Sequence, residues 1–468
     1  MTLPRPARRS WWLEEALAAD PGEPCPPLDR DIESEVVILG GGYTGMWTAH
    51  FLKERDPGID VVLIEQDICG GGPSGRNGGF CNGFWEELDI LVRALGPDGA
   101  LETCHAAEAS IGEIGEWCGR HQIDAQYLRN GHMGVAASPA QDGAWRGVVE
   151  ETRRLGVDWF RELSAEEVRE RCASPIFRAG VLAPRAATVQ PARLARGLRR
   201  VIIEQGARIY ERTRVRRFRA GPPVEADTAR GRVRAPRAII ATGAWSSRMR
   251  AFHRAIVPRG SYILVTDPAP ERLEEIGWTG GEGIYDFRSA LHYLRTTPDG
   301  RIAFGAAGST AGVGGGLGPR MDYDRTSIGR LVRSFHRMFP SFRDVPIAAA
   351  WGGPMDITGR HLPFFGTLPA GNIHYAMGYT GGGVGPCHMA GKILSGMVLG
   401  IQDELTRLPL VCLEPKRFPP EPLLAVGAAI AQEAIVRRDE ARDLGRRPNP
   451  LVDLVARLPR KLGYELGP

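Results

Sequence analysis

Short apolar runs alternate with amphipathic stretches along this chain, an order typical of parallel strands joined by helices. The clearest case lies between Val36 and Glu65, where VVIL leads through a glycine turn into MWTAHFLKER and then into a second apolar run, DVVLIE. Short apolar runs bounded by turns are typical of buried strands, and the segment between them has the length of a helix. The pattern predicts one βαβ unit of about 30 residues.

Further strand and helix patterns indicate a divided fold. The domain of the βαβ unit continues in three later segments, RAIIATGAW, NIHYAMGY and MAGKILSGMVLG. Two other segments have amphipathic helix patterns, EETRRLGVDWFREL and SAEEVRERC. The second of these begins with a capping box at Ser164 and Glu167. SYILVTD, SALHYLRTT and RIAFGAAG alternate as antiparallel strands do, around the glycine-rich loop GVGGGLG. We predict an α/β fold, α+β overall, in which a Rossmann-like cofactor domain is interleaved with a substrate domain built on a mostly antiparallel sheet.

The predicted boundaries follow from these patterns. They are 1–30 for an N-terminal arm; 31–100, 178–256 and 351–402 for the cofactor domain; 101–177 and 257–350 for the substrate domain; and 403–468 for a C-terminal tail.

Composition excludes several classes of protein. The 468 residues suffice for two domains, and 24% charged residues with a net charge of +4 do not suit a polycation that wraps nucleic acid. No apolar run approaches the ~18 residues that a membrane span needs, and the first thirty residues lack a secretory signal pattern. The eight cysteines are scattered, which predicts neither a disulfide framework nor a metal site. We therefore expect a cytoplasmic protein with no nucleic-acid or membrane partner.

The glycine turn after VVIL has the spacing of a dinucleotide-binding motif. Gly40, Gly42 and Gly45 fit G-x-G-x-x-G, in which the second glycine lets the backbone approach a pyrophosphate at the amino end of the helix. Glu65 ends the second strand, where a carboxylate accepts hydrogen bonds from ribose hydroxyls and disfavours a 2′-phosphate. The similar spacing of GGGPSG, from residue 70 to 75, has no strand before it and is not predicted to bind a dinucleotide.

Four segments then resemble the D-amino-acid-oxidase-like family of FAD-dependent oxidoreductases. They are GGPSGRNGGF (71–80), AIIATGAWS (238–246), WGGPMDITGRHLPFFG (351–366) and GYTGGGVGPCHMAGKI (378–393). In order and spacing they are similar to γ-glutamylputrescine oxidases and to sarcosine and glycine oxidase-like enzymes, over roughly residues 31 to 400. The resemblance implies FAD as the cofactor.

The resemblance and the glycine turn together assign a set of FAD contacts, in which Val215 takes the place that meets adenine. The predicted cofactor-binding residues are Gly40, Gly42, Tyr43, Thr44, Gly45, Glu65, Gln66, Ser74, Arg76, Asn77, Gly78, Gly79, Val215, Thr242, Gly243, Trp245, Gly378, Thr380, Gly381, Gly382, Gly383 and Val384. Relatives with covalent flavin place a Cys or His where this chain has Pro354 and Met355, or Arg76 and Asn77. We therefore predict noncovalent FAD.

The activity implied is oxidation of the C–N bond of a small amine or amino acid, primary or N-alkylated, to an imine that water hydrolyses to a carbonyl compound and an amine. The resemblance implies a roof over the flavin built from the antiparallel sheet, for which the candidates are Tyr262, Tyr285, Arg288, His292 and Tyr293. Of these, Tyr262, Arg288 and His292 are the candidate catalytic residues, although each is equally suited to packing the sheet. An arginine there could hold an anionic substrate through two parallel hydrogen bonds. Sarcosine-oxidase-like members use a lysine to activate oxygen, but no lysine lies between Lys53 and Lys392, so the electron acceptor is oxygen or another compound.

Two other readings stay open at this point. One is an FAD-binding subunit of a multi-chain amine dehydrogenase. The other is a flavin monooxygenase, although that class usually has a second nucleotide motif between a strand and a helix, and this sequence shows none. The C-terminal tail has no recognised motif and is a candidate for self-association into a homo-oligomer.

Overall fold

The computed structural model describes residues 4, 9–312 and 316–465, which form two layered units and a C-terminal pair of helices. Residues 313–315 of the predicted glycine-rich loop lie outside this part of the chain. The α-helices are α1 (Trp11–Ala19), α2 (Tyr43–Arg55), α3 (Leu88–Arg120), α4 (Arg146–Arg154), α5 (Ala165–Arg171), α6 (Pro191–Glu204), α7 (Pro270–Glu275), α8 (Arg325–Met338), α9 (Val384–Leu399), α10 (Leu423–Asp443) and α11 (Pro450–Lys461). The strands are β1 (Ile32–Glu33), β2 (Val36–Leu39), β3 (Val61–Ile64), β4 (Phe80–Cys81), β5 (His132–Val135), β6 (Arg161–Leu163), β7 (Gly180–Ala183), β8 (Ala187–Thr188), β9 (Arg208–Tyr210), β10 (Arg217–Arg219), β11 (Val224–Asp227), β12 (Arg232–Ala235), β13 (Arg237–Ile240), β14 (Ile256–Thr266), β15 (Gly283–Asp286), β16 (His292–Thr296), β17 (Ile302–Ala311), β18 (Ile347–Thr358), β19 (Phe364–Thr367) and β20 (Ile373–Met377).

A six-stranded sheet forms the core of the predicted cofactor domain. Its order is β19, β20, β13, β2, β3 and β9, and every pair is parallel except the edge pair of β19 and β20. All residues of β2 and β3 are buried, because α2, α6 and α9 cover one face of the sheet and β11 and β12 pack on the other. The strands are therefore apolar throughout. The predicted βαβ unit of β2, α2 and β3 is confirmed.

An eight-stranded sheet forms the second unit, in the order β18, β14, β17, β16, β15, β5, β7 and β6. Its pairs are antiparallel except that of β15 with β5, which confirms the mostly antiparallel prediction and with it the fold class. One face packs against α8 through side chains such as Leu264 and Phe304. Ile263 and Trp351 lie on the opposite face, where they pack against Trp12 of α1.

The eight-stranded sheet includes strand residues that the predicted boundaries assign to the cofactor domain. β7 falls within the predicted cofactor segment 178–256, yet it pairs with β5 and β6 in the eight-stranded sheet. β18 likewise runs across the predicted boundary at residue 351. Part of the predicted helix EETRRLGVDWFREL is a strand instead, since α4 ends at Arg154 and β6 covers Arg161–Leu163. The predicted capping box at Ser164 and Glu167 is present.

Helices lie near both ends of the described part of the chain. α1 lies within the predicted N-terminal arm, and its Trp12 is fully buried. α10 and α11 pack against each other, and α10 also contacts β17. Within the described residues, no helix combines the length and apolar composition that crossing a bilayer requires.

Candidate functional site

The G-x-G-x-x-G turn has the geometry of a phosphate cradle. Gly40 has φ +111°, and a Cβ on Gly45 would overlap the carbonyl of Gly40, so both positions require glycine. Gly42 is the N-cap of α2. Among the described residues, an added Cβ on Gly42 would meet only Ser74 Oγ, at 3.1 Å, apart from its own chain neighbours. The space above Gly42 therefore accepts a pyrophosphate at the positive end of a helix.

Glu65 lies beside this turn at the end of β3. Its Oε2 accepts the N–H of Gly41 at 2.8 Å and its Oε1 accepts the N–H of Asp67 at 2.8 Å. Burial raises the pKa of Glu65, and these two backbone hydrogen bonds oppose the shift. The N–H of Thr213 bonds to the carbonyl of Glu65, so the segment carrying Val215 passes next to it. This arrangement fits an adenosine ribose on Glu65, whereas the side chain of Gln66 is exposed.

The loop after Glu65 is fixed to the cradle by Ser74. Ser74 Oγ accepts the N–H of Tyr43 in the first turn of α2 at 2.8 Å. Asn77 holds the loop's shape, since its Oδ1 accepts the N–H of Gly79 at 2.7 Å and its Nδ2 donates to the carbonyl of Ser74 at 3.0 Å. The predicted polar loop is therefore an ordered wall of the cradle.

The same loop is also fixed to the eight-stranded sheet. Arg76 donates to the carbonyl of Gly352 at 2.9 Å, and the indole N–H of Trp351 donates to the carbonyl of Arg76 at 2.9 Å. Gly78 lies against the ring of Tyr293, since a Cβ on Gly78 would approach that ring at 2.8 Å. The loop thus joins the cradle to the sheet face that carries Trp351 and Tyr293.

A second turn, after β13, contributes Thr242, Gly243 and Trp245. The Thr242 hydroxyl lies 2.7 Å from the hydroxyl of Ser246, and the ring of Trp245 faces Gly72 of the loop. The predicted residues of this turn therefore lie beside the 71–80 segment.

The start of α9 lies next to the start of α2. The Thr44 hydroxyl donates to the phenol oxygen of Tyr379 at 2.9 Å. Gly381, with φ +100°, lies in the turn that opens α9 at Val384. Two helix amino ends with their partial positive charges therefore converge where the resemblance places the flavin. Burial raises the pKa of the nearby Cys387 to about 12, which keeps it a thiol.

Asp356 is a buried acid of this site that sequence reasoning missed. Its Oδ2 accepts the N–H of Gly378 at 2.6 Å and lies 3.6 Å from the position of a Cβ on Gly243. Burial raises its pKa to about 6, although hydrogen bonds from the backbone of Gly378, Tyr379 and Thr380 oppose the shift. Nothing in the segment GGPMDITG indicates that its one acid contacts the glycine turns at Gly243 and Gly378.

The three candidate catalytic residues lie together, but the structure does not bring them to the cradle. Tyr262, Arg288 and His292 line one cavity of about 40 Å³ with residues of α8 and α10. The Tyr262 hydroxyl donates to the carbonyl of Arg320 at 2.6 Å. Tyr262 and His292 belong to the sheet face that packs on α8, opposite the face that carries the 71–80 loop.

Two of these residues, Arg288 and His292, are held in a polar chain. His292 Nδ1 lies 2.6 Å from Asp286 Oδ2, and His292 Nε2 lies 2.8 Å from Arg288 Nη1. Arg288 Nε lies 3.5 Å from Asp443 in α10. Burial would raise the pKa of Asp286, but the charge and hydrogen bond of His292 outweigh it and hold the pKa low.

Tyr293 and Ser261 occupy the face that meets the cradle. The Tyr293 hydroxyl lies 2.8 Å from Ser261 Oγ, and burial raises the pKa of Tyr293 to about 12. Successive residues of a strand point to opposite faces, so the neighbours of His292 and Tyr262 face the loop when those two face α8. The alternation in SALHYLR is visible in the sequence, but which face the cofactor loop covers is not.

Comparison with known proteins agrees with this geometry. The profile of the DAO family, described as FAD dependent oxidoreductase, matches residues 35–397. The chain belongs to this family. FAD is therefore its cofactor, as predicted, and its relatives act on amines and amino acids.

Individual relatives span most of this oxidoreductase. Gamma-glutamylputrescine oxidoreductase of Escherichia coli (strain K12) is 30% identical over 420 residues, which cover 88% of this chain and 96% of that protein. Glycine oxidase of Geobacillus kaustophilus (strain HTA426) is 24% identical over 389 residues, covering 78% and 92%. The structure of L-proline dehydrogenase from P. horikoshii has the same fold, with a TM-score of 0.65, 20% identity and coverage of 82% and 96%.

Proposed function

We propose that this oxidoreductase oxidises the C–N bond of a small amine or amino acid to an imine, which water hydrolyses to a carbonyl compound and an amine. One observation carries the proposal. The loop from Ser74 to Gly79 fixes the dinucleotide cradle directly to the sheet face with Tyr293 and Ser261. A flavin bound in the cradle would lie next to that face, so a substrate between them would be enclosed.

Bound FAD supplies the acceptor for the hydride that leaves the carbon next to nitrogen. The chain's own residues have to position the substrate and exclude water, since amine oxidation in this family needs little covalent work from side chains. The Tyr293 phenol, with its raised pKa of about 12, stays protonated at neutral pH and is available to orient an amine or carboxylate. Trp351 and Trp12, both fully buried, close the site behind the 71–80 loop.

Arg259 is our candidate for holding a substrate carboxylate. It pairs with Met355 across β14 and β18, and Met355 lies against Gly381 in the turn that opens α9. Burial lowers its pKa to about 10, so it remains a cation at neutral pH. A buried guanidinium at this position of β14 suits an amino-acid-like substrate better than a simple alkylamine.

An anaerobic absorbance titration tests the proposal. The purified yellow protein is titrated with glycine, sarcosine, L-proline and gamma-glutamylputrescine, and the carbonyl product is then assayed. Bleaching of the flavin with release of a carbonyl compound supports amine oxidation. A protein that retains FAD but is reduced by no amine would favour the alternative of a subunit that works with another chain.

Admitting air to the bleached protein identifies the class of electron acceptor. Rapid return of the yellow colour means that oxygen accepts the electrons, and slow return means that another acceptor does. Noncovalent attachment is tested on the same sample, since acid precipitation should release all of the flavin into the supernatant.

A further inference from the structure

A cationic cavity lies at the C-terminal end of the chain. We call α10, α11 and the segment 444–449 between them the C-terminal hairpin. A cavity of about 360 Å³ opens between the two helices and the loop that joins β15 to β16. Five cations line it, together with Ser289: Arg438, Arg442, Arg457, Arg460 and Lys461.

The charges around this cavity are unbalanced. Of the described residues that line it, none is acidic. Arg438 pairs with Asp439 at 3.4 Å. Asp453 is shared by Arg442, at 3.3 Å, and Arg457, at 2.6 Å, so two carboxylates serve three of the five cations. Gathering five like charges around one cavity is unfavourable by itself, so an anion bound there would relieve the repulsion.

The inner end of the cavity is formed by a buried, hydrogen-bonded arginine. Arg438 is only 8% exposed, and its guanidinium donates to Ser289 Oγ at 2.7 Å. Asp439, beside it, accepts the N–H of Ala290 at 3.2 Å, which fixes the hairpin to the loop of the substrate sheet. A ligand would therefore meet a hydrogen-bonded floor below and exposed cationic side chains at the rim.

We propose that the C-terminal hairpin binds a phosphate-bearing anion in this cavity. The volume lies at the lower end of the range for small-ligand sites, roughly 300–1,000 Å³. Guanidinium forks match phosphate oxygens through parallel hydrogen bonds, and a phosphate carries more charge than one carboxylate. The five cations of the site lie beyond residue 397, where the match to the family ends, and none of them belongs to the FAD cradle.

Such a phosphate has two sources, a free anion or a lipid headgroup. Leu454 and Leu458 of α11 are 54% and 48% exposed, on the same helix as Arg457 and Lys461. An apolar row beside cations is the pattern by which a helix lies on an anionic lipid surface. The two sources share the headgroup chemistry and differ in whether the leucines take part.

The test measures binding of inorganic pyrophosphate to the FAD-loaded protein by isothermal titration calorimetry in low-chloride buffer. The variant R457Q/K461Q removes two exposed cations from the rim, and R446Q/R447Q removes two exposed cations from the same hairpin outside the cavity. We expect the first variant to weaken binding by about tenfold or more, as expected for loss of at least one charge-assisted hydrogen bond. The second should bind nearly as the parent does, and both should keep their FAD and their circular dichroism spectrum.

Vesicles of phosphatidylcholine, with and without phosphatidic acid, distinguish the sources by co-sedimentation. Binding to phosphatidic acid that is lost in L454S/L458S, with pyrophosphate binding unchanged, assigns the site to a headgroup. Pyrophosphate binding without vesicle binding assigns it to a free anion. Absence of pyrophosphate binding, equal weakening in both double variants, or citrate binding as tight as pyrophosphate would overturn the proposal.

Discussion

Asp356 gives the sharpest test of the site's electrostatics. Its pKa in the folded chain is about 6, against an ordinary value of 3.8, because burial disfavours the carboxylate. The folded protein therefore holds a proton on Asp356 between about pH 4 and pH 6 that the unfolded chain has released. A group of this kind makes the free energy of unfolding fall as pH rises through that window.

The size of the effect follows from the shift. A difference of about two pKa units corresponds to about 3 kcal/mol between pH 4 and pH 7. Replacing Asp356 with Asn keeps the shape and an acceptor for the Gly378 N–H but removes the charge. We expect D356N to match the parent in stability near pH 4 and to be more stable by about 3 kcal/mol near pH 7.

The assay is urea denaturation of parent and variant, both freed of FAD, followed by tryptophan fluorescence from pH 4 to pH 7. The difference between the two proteins isolates Asp356 from the other groups that titrate. If the free energies of unfolding of parent and variant change with pH in the same way, or if the variant is the less stable protein above pH 6, burial does not raise the pKa of Asp356 and the prediction is wrong.

Three further predictions address the cradle, the substrate side and the core. G42V should leave the purified protein without flavin absorbance, because the added side chain fills the space for the pyrophosphate, whereas G58V at an exposed turn of the same βαβ unit should stay yellow. R259A should raise KM for carboxylate-bearing amines far more than for neutral ones, and R288A should affect both alike; the reverse pattern would favour the original prediction for Arg288. W12A should lower the free energy of unfolding by roughly 3–5 kcal/mol, because its ring is fully buried against Trp351, and an unchanged thermal midpoint would contradict that packing.

The sequence predicted the βαβ unit and its glycine turn because their signals are local. The strand, turn and helix from Val36 to Arg55 are contiguous, and each glycine of the turn has a separate steric reason. Glu65 lies at the end of β3 beside the turn because strand length and helix length fix where the chain returns. The same kind of local pattern predicted α9 from MAGKILSGMVLG, although the helix begins five residues earlier, at Val384.

The substrate side could not be predicted in the same way because it depends on long-range contacts. Alternation in SALHYLR separates His292 from Tyr293 but does not say which of them faces the loop at residues 71–80. That choice is made by Gly78 against Tyr293, between residues more than 200 positions apart. Asp356 was missed for a related reason, since its partners at Gly378 and Gly243 come from other segments.

The order of strands in the six-stranded sheet has a consequence for how the protein is made. β2 begins at residue 36, but its neighbour β13 begins at residue 237 and β20 follows at residue 373. The hydrogen bond from the Thr44 hydroxyl to Tyr379 can form only after residue 379 has left the ribosome. The emerging chain therefore carries half-formed apolar strands for most of its synthesis, and FAD capture is a late event that can seal the finished fold.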